Sequence, residues 1–244
     1  MRNLILCEGH TDAILLSYYL CKTGGWNYSR KFPPGFHIQA DDRHGESAEW
    51  YRRGDDWLLI SAVGSKDSFG RFFHERIKEI LIRYGDEAFS RIALMADRDD
   101  ATEAELTETV RRQIPLVADK ARCGEWVEQE YQDGYRQPRK LRFLLLAIPE
   151  SSQGALENVL LDAISEDAYD ANIVHKSREF VDLIAPEASR YLGKRRLISK
   201  ACLGVTWAIQ SPQKVFKMID EQLRGTPWEK SETLRQTFAR LLEI

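Results

Sequence analysis

Apolar residues along this chain follow two rhythms. Short unbroken runs occur at Leu4-Ile5-Leu6, Trp57-Leu58-Leu59-Ile60-Ser61-Ala62-Val63, Arg91-Ile92-Ala93-Leu94-Met95-Ala96 and Lys140 to Ile148. Runs of strand length without polar alternation predict strands covered on both faces, as in a parallel sheet. Between them, apolar residues return at helical spacing. A first helix is expected from Thr11 to Lys22, capped by the Thr11 hydroxyl, striped by Ile14, Leu15, Tyr18 and Tyr19, and ended by Gly24-Gly25. A second, Ser68 to Tyr84, buries Phe69, Phe72, Phe73, Ile77, Ile80 and Leu81 and stops at Gly85. A third opens on the capping box Thr102-Glu103-Ala104-Glu105 and ends near Gln113. Strand and helix in alternation give an α/β, Rossmann-like fold: a mainly parallel sheet of about four strands, flanked by helices on right-handed crossovers.

Two stretches break the rhythm. Over 26–56, Trp26, Tyr28, Phe32, Pro33, Pro34 and Phe36 are scattered among polar residues, followed by a charged run; this reads as a long loop or short hairpin inserted after the first helix. Residues 119–139 mix both charges around Trp126 and Tyr131, suiting a short helix or a hairpin. From about Asp167 no strand is expected. Helices are predicted around Phe180-Val181 and Leu183-Ile184, from Leu197 to Ile209, from Val215 to Leu223 after Ser211-Pro212, and from Leu234 to Leu242. The expected organisation is an α/β domain over 1–165, with its insertion at about 26–56, and a helical extension or small subdomain over 166–244.

Carboxylates stand at the ends of two of the predicted strands. Leu4-Ile5-Leu6 runs through Cys7 into Glu8-Gly9, and Asp12 falls in the first turn of the following helix, where the helix dipole favours negative charge. The run ending at Ala96 continues into Asp97-Arg98-Asp99-Asp100. In an extended segment Asp97 and Asp99 would point the same way and could share one hard cation. The carboxyl edge of an open α/β sheet is where ligands bind.

Glu8-Gly9 with Asp12, and Asp97 with Asp99, each after an apolar strand and separated by two β-α units, resemble the Toprim domain, the metal-binding catalytic module of topoisomerases, primases and OLD-type nucleases. The resemblance covers roughly residues 1–165. It is similar to small stand-alone Toprim proteins related to the OLD nucleases; zinc-ribbon cysteines and a topoisomerase tyrosine motif are not recognisable here. It implies a Toprim fold, Mg²⁺ or Mn²⁺ as cofactor, nucleic acid as substrate and an ATPase as a candidate protein partner. It makes Lys66, in the turn Gly64-Ser65-Lys66, a candidate phosphate contact, and Glu157 a further acid of the site, with Glu150 a weaker one. Without it, Lys66 is equally a solvated turn lysine and Glu157 a surface acid complementing a helix dipole.

Composition narrows the partners. Hydrophobic residues make up 43% of the 244 positions and suffice for a core, and the net charge of −3 offers no global attraction to a polyanion. Nucleic-acid binding must then rest on a local patch or on bound cations. Lys194, Arg195, Arg196 and Lys200 form one such cluster, Arg136, Arg139, Lys140 and Arg142 another; solvated faces are the common alternative. The turn at Gly64 can also aim backbone N–H groups at phosphate, and Gly9 stands in the equivalent turn. No apolar stretch approaches a membrane span or a signal h-region, so the cytoplasm is the expected location. The cysteines at 7, 21, 123 and 202 show no metal-ligand spacing with the histidines and read as reduced thiols.

The expected chemistry is metal-dependent phosphoryl transfer, in the first place nuclease action. Asp97 and Asp99 would be the main ligands, Glu8 a ligand or general base, and Asp12 and Glu157 would complete the site or hold a second metal. Two alternatives remain. A haloacid-dehalogenase-like phosphohydrolase fits Asp97-Arg98-Asp99, although its nucleophile normally follows the first strand. The other is a non-catalytic Toprim-like module that binds metal, nucleotide or protein.

Overall fold

The computed structural model describes residues 1–117, 119–214 and 219–244. Its centre is a seven-stranded sheet in the order β2-β3-β4-β1-β5-β7-β6, comprising β1 Arg2–Cys7, β2 Asn27–Ser29, β3 Glu46–Arg53, β4 Asp56–Val63, β5 Arg91–Asp97, β6 Trp126–Gln132 and β7 Pro138–Ile148. The four apolar runs are β4, β1, β5 and β7, which lie side by side and run parallel. The sheet is wider than the four strands expected, because β3 and β6 pair antiparallel to β4 and β7, and β2 extends one edge by pairing with β3.

Of the two alternatives for 26–56, a hairpin is what forms, with β2 pairing antiparallel to β3. Its aromatic residues are the reason: Trp26, Phe36, Trp50 and Tyr51 are buried, and Phe36 packs edge-on against Trp50 and Phe89. The charge run hides a buried pair, since Glu46 at the start of β3 meets Arg71 at 2.7 Å with its side chain fully buried. Of the two alternatives for 119–139, the hairpin is what forms, as β6 with β7.

Alternate residues of the central strands feed two separate apolar clusters. Ile5, Leu58, Ile60, Ala93, Leu144 and Leu146 belong to one, Leu4, Leu6, Leu59, Leu94, Phe143 and Leu145 to the other. The second face is covered by α2 (Phe69–Phe72), a π-helical turn Phe73–Ile77, α3 (Lys78–Tyr84) and α4 (Glu103–Gln113). The expected helix over 68–84 is thus present but locally underwound by one π turn, with its six apolar residues all buried. The first face is covered by α1 (His10–Thr23), α5 (Leu156–Ile164) and the carboxyl-terminal helices.

Those helices are α6 (Ala168–Ile184), α7 (Ser189–Leu192), α8 (Arg195–Gln210), α9 (Ile219–Gly225) and α10 (Glu232–Thr237), ending in a 3₁₀ turn Ala239–Glu243. The helix expected from Val215 begins outside the described residues. Val174, Leu203, Leu223, Leu234 and Phe238 join the same cluster as α1 and α5, so this segment closes over the sheet face. Trp126 Nε1–H donates to the Arg240 carbonyl (3.0 Å), fastening the end of the chain to the β6 edge. No helix among the described residues is long and apolar enough to cross a membrane.

The strand order has a direct consequence for ligand binding. Taken in chain order, the parallel strands progress outward from β1 to β4, then step back across β1 to β5 and on to β7. The connections diverge between β1 and β5, and a crevice at the carboxyl ends of two such strands is where doubly wound sheets bind ligands. Glu8 follows β1 directly and Asp97 is the last residue of β5.

Candidate active site

The two strand ends are joined by side-chain chemistry. The Asp97 backbone N–H donates to Glu8 Oε1 (2.9 Å). Asp12, expected in the first turn of the helix and as a further ligand of the site, is buried and accepts from the Gly9 N–H (2.8 Å). Gly9, not Thr11, is the residue that caps α1, because Asp12 reaches back to bind the cap residue's own amide. Asp97 Oδ1 in turn accepts the Leu156 N–H (2.9 Å) at the start of α5, so a helix amino terminus points at this carboxylate. Glu157, the next residue, brings a fourth acid to the group, with its Oε2 buried and without a hydrogen-bond partner.

Burial and mutual repulsion shift these groups strongly. Burial first, and then the charges of Asp12, Glu8 and Glu157, push the Asp97 carboxyl up to about 9, against the pull of the Leu156 amide. Glu8 rises to about 7, chiefly through burial, with the Lys66 ammonium and the Asp97 amide holding it down. Asp12 rises to about 6 from burial, opposed by the Gly9 amide and assisted by Glu157. Carboxylates in such surroundings bind a proton or a cation in preference to standing bare.

Two lysines already answer part of that demand. Lys66 Nζ lies 2.7 Å from Asp99 Oδ2 and 3.9 Å from Glu8 Oε1, and Lys200 Nζ is 2.9 Å from Glu157 Oε1. Lys200, read from the sequence only as a phosphate contact, reaches in from α8, where burial is outweighed by the neighbouring Glu157, Asp97 and Asp12 and its ammonium is held above the usual lysine range. Nothing in the local sequence links it to Glu157; the pairing exists because α8 packs beside α5.

Several expectations need correction. Asp97 and Asp99 do not point the same way, because the chain leaves the strand between them: Asp99 adopts a left-handed backbone (φ 52°) and bridges Gly154 through both backbone groups. Asp99 faces Lys66 and Glu8, while Asp97 faces Asp12 and Glu157. The amides of Gly9 and Gly64 are not free for phosphate: Gly9 N–H serves Asp12, and Gly64 N–H donates to the Glu8 carbonyl (2.8 Å). Glu150 is exposed on the neighbouring loop and lends its carbonyl to Arg98. Of the second basic cluster, Arg139 pairs with Asp133 and Asp86, Lys140 with Glu128, and Arg142 with Glu243, which spends those cations at the β6–β7 hairpin. Arg195 is likewise engaged, with Gln153 (3.1 Å) and Asp100 (3.5 Å).

Gly64 is structurally required. At φ +93°, a Cβ there would lie 1.9 Å from the His44 carbonyl oxygen. Gly64→Ala is expected to destabilise the protein by about 2 kcal/mol or more, read as a lower urea midpoint with unchanged slope; an unchanged midpoint would mean that the turn re-forms freely.

The donor set suits a hard divalent cation in kind: all oxygen, largely dehydrated, with one buried Glu157 oxygen still unpartnered. As they stand, no three carboxylate, histidine or thiol groups among the described residues converge closely enough to hold one ion, so binding would require side-chain rotation, first of all release of Lys66. Sequence reasoning missed Asn158, whose Oδ1 caps the Ala155 amide (3.0 Å); its position three residues into α5 is where a capping side chain reaches back.

No family model matches the chain, and no curated protein is similar to it in sequence. The crystal structure of a hypothetical protein from Pyrococcus horikoshii OT3 is similar in fold, with a TM-score of 0.58 at 17% identity over 100% of this chain and 98% of that one. This α/β architecture with its helical carboxyl-terminal segment is thus shared along the full length of a second protein.

Proposed function

We propose that the protein is a Mg²⁺- or Mn²⁺-dependent phosphoryl-transfer enzyme of Toprim type, and that its reaction is cleavage of nucleic-acid phosphodiesters. The observation that carries this reading is the hydrogen bond from the Asp97 amide to Glu8 Oε1 (2.9 Å), which brings two acid-bearing strand ends to one crevice. Asp12 and Glu157 meet there as well.

Glu8, Asp12, Asp97 and Glu157 would hold the metal, which when bound neutralises charge developing on the transferred phosphoryl group and acidifies a bound water. Glu8, whose Oε1 lies at the β1–β5 crevice against the Asp97 amide, would serve either as one of these ligands or as the general base toward the attacking water. Lys66, once freed from Asp99, can meet a phosphate oxygen, and Lys200 orients Glu157. Asp97 holds its place through the Leu156 amide whether or not it is charged.

A second reading, a Toprim-like module that binds without turnover, is favoured by one observation: Lys66 and Lys200 already neutralise two of the acids. One experiment separates the readings. Purified protein is incubated with plasmid, single-stranded DNA, RNA and para-nitrophenyl phosphate, each with Mg²⁺, with Mn²⁺ and with chelator. Cleavage of a polynucleotide that chelator stops is the expected result. Turnover of para-nitrophenyl phosphate alone would favour a phosphohydrolase, and no turnover of anything would favour the binding module.

A further inference from the structure

A cleft of about 410 Å³ opens beside the acid cluster, between Asp99 at the end of β5, Asn158 at the start of α5, and Lys194, Arg196 and Ser199 at the start of α8. Its walls differ in charge. On the α8 side Lys194 and Arg196 are exposed and have no carboxylate partner among the described residues, in contrast to Arg195 and Lys200 beside them. The first turn of α8 contains no acid and its end is not capped by a side chain. Asn158 has spent its oxygen on the Ala155 amide, which leaves its NH₂ as a donor in the wall. Apart from Asp99 and Asp100 at the rim toward β5, the cleft therefore offers donors: two free cations, an amide and a hydroxyl. Such a set is matched by an anion with several oxygens, which can take charge-assisted bonds from more than one of them.

We infer that this cleft seats the phosphate adjoining the one under attack, and that the substrate is a single strand of nucleic acid. The inference rests on the phosphodiesterase reading and gives it a substrate class. A phosphomonoester has no second phosphate to occupy the donor wall. A duplex brings a second strand, whereas the cleft has room for about one nucleotide, being near the lower end of ligand-pocket sizes. Arg195, bonded to Gln153 and Asp100, braces the donor wall against the loops after β5 and β7, so the distance between the two phosphate seats is set by the fold.

The test is fluorescence anisotropy of an end-labelled oligothymidylate with chelator present, so that neither metal nor turnover contributes. Replacing both Lys194→Ala and Arg196→Ala is expected to weaken binding about tenfold or more and to lower the slope of log K against log salt by about 0.7, the step for the one phosphate these two cations hold. Both side chains are exposed, so the fold is retained. Unchanged affinity and slope in the double variant would overturn the inference, as would a duplex competing as well as the single strand, or thymidine monophosphate competing as well per phosphate as the oligomer. The two readings fail separately: a wild-type protein that binds through Lys194 and Arg196 but never cleaves sinks the nuclease and leaves this site, and metal-dependent cleavage with unaltered binding in the double variant does the reverse.

Discussion

Asp97→Asn is expected to lower metal-dependent cleavage by about a thousandfold or more, equivalent to about 4 kcal/mol of transition-state stabilisation, while leaving the protein folded. Asparagine keeps an oxygen for the Leu156 amide that Asp97 Oδ1 now accepts at 2.9 Å, so the start of α5 stays capped. What it removes is a carboxyl whose charged form burial, Asp12, Glu8 and Glu157 all oppose, and which the metal-free fold must therefore protonate near neutral pH. In the absence of metal the variant should therefore resist heat better than the wild type, not worse. Activity and stability moving in opposite directions is the mark of a residue retained for chemistry against its effect on folding. Equal loss of both, read by cleavage assay and calorimetry on one preparation, would show Asp97 to be a structural acid.

The second large effect is on stability against pH. In the unfolded chain carboxyls titrate near 4, whereas in the fold Asp12, Glu8 and Asp97 titrate at about 6, 7 and 9. Between those limits the native protein holds protons that the unfolded chain has released, so its stability falls as pH rises. The stabilising contribution is fully present below about pH 4 and is lost progressively as pH rises, each group's share being gone once pH has passed its folded value. Glu8 alone, moved from 4.5 to about 7, accounts for about 3 kcal/mol at about 1.4 kcal/mol per pH unit, or roughly 6–12 °C in Tm for a chain of this length. Scanning calorimetry of chelated protein at about pH 5 and about pH 9 should show the lower Tm at the higher pH, and Mg²⁺ or Mn²⁺ should restore much of the difference, since a cation replaces the missing protons. A Tm that is flat or rises over that interval would contradict the grouping of these acids.

The parts of this arrangement that sequence displays are those fixed by a single dominant force. β1, β4, β5 and β7 are buried on both faces, so their residues are apolar without alternation and the runs stand out. The acids at their ends are legible for the same reason, as the first polar residues after each run. The antiparallel strands flanking the parallel core are hidden because β3 and β6 carry charges whose partners lie elsewhere in the chain: Glu46 with Arg71, Glu128 with Lys140. A buried ion pair and a solvated charge are the same letters in a sequence. The i, i+2 spacing of Asp97 and Asp99 reads as extended in a sequence, whereas a left-handed backbone at φ 52° turns Asp99 away. The Lys200 contact to Glu157 spans α5 and α8 and depends wholly on tertiary packing.

The central claim is that Glu8, Asp12, Asp97 and Glu157 together form a cation site, and isothermal titration calorimetry of Mn²⁺ into chelator-free protein addresses it without any substrate. Saturable binding in the wild type, accompanied by proton release near neutral pH and lost on combining Glu8→Gln with Asp97→Asn, is the predicted result. Absence of binding, or binding that survives both substitutions, would mean that these acids are gathered for some purpose other than holding a metal.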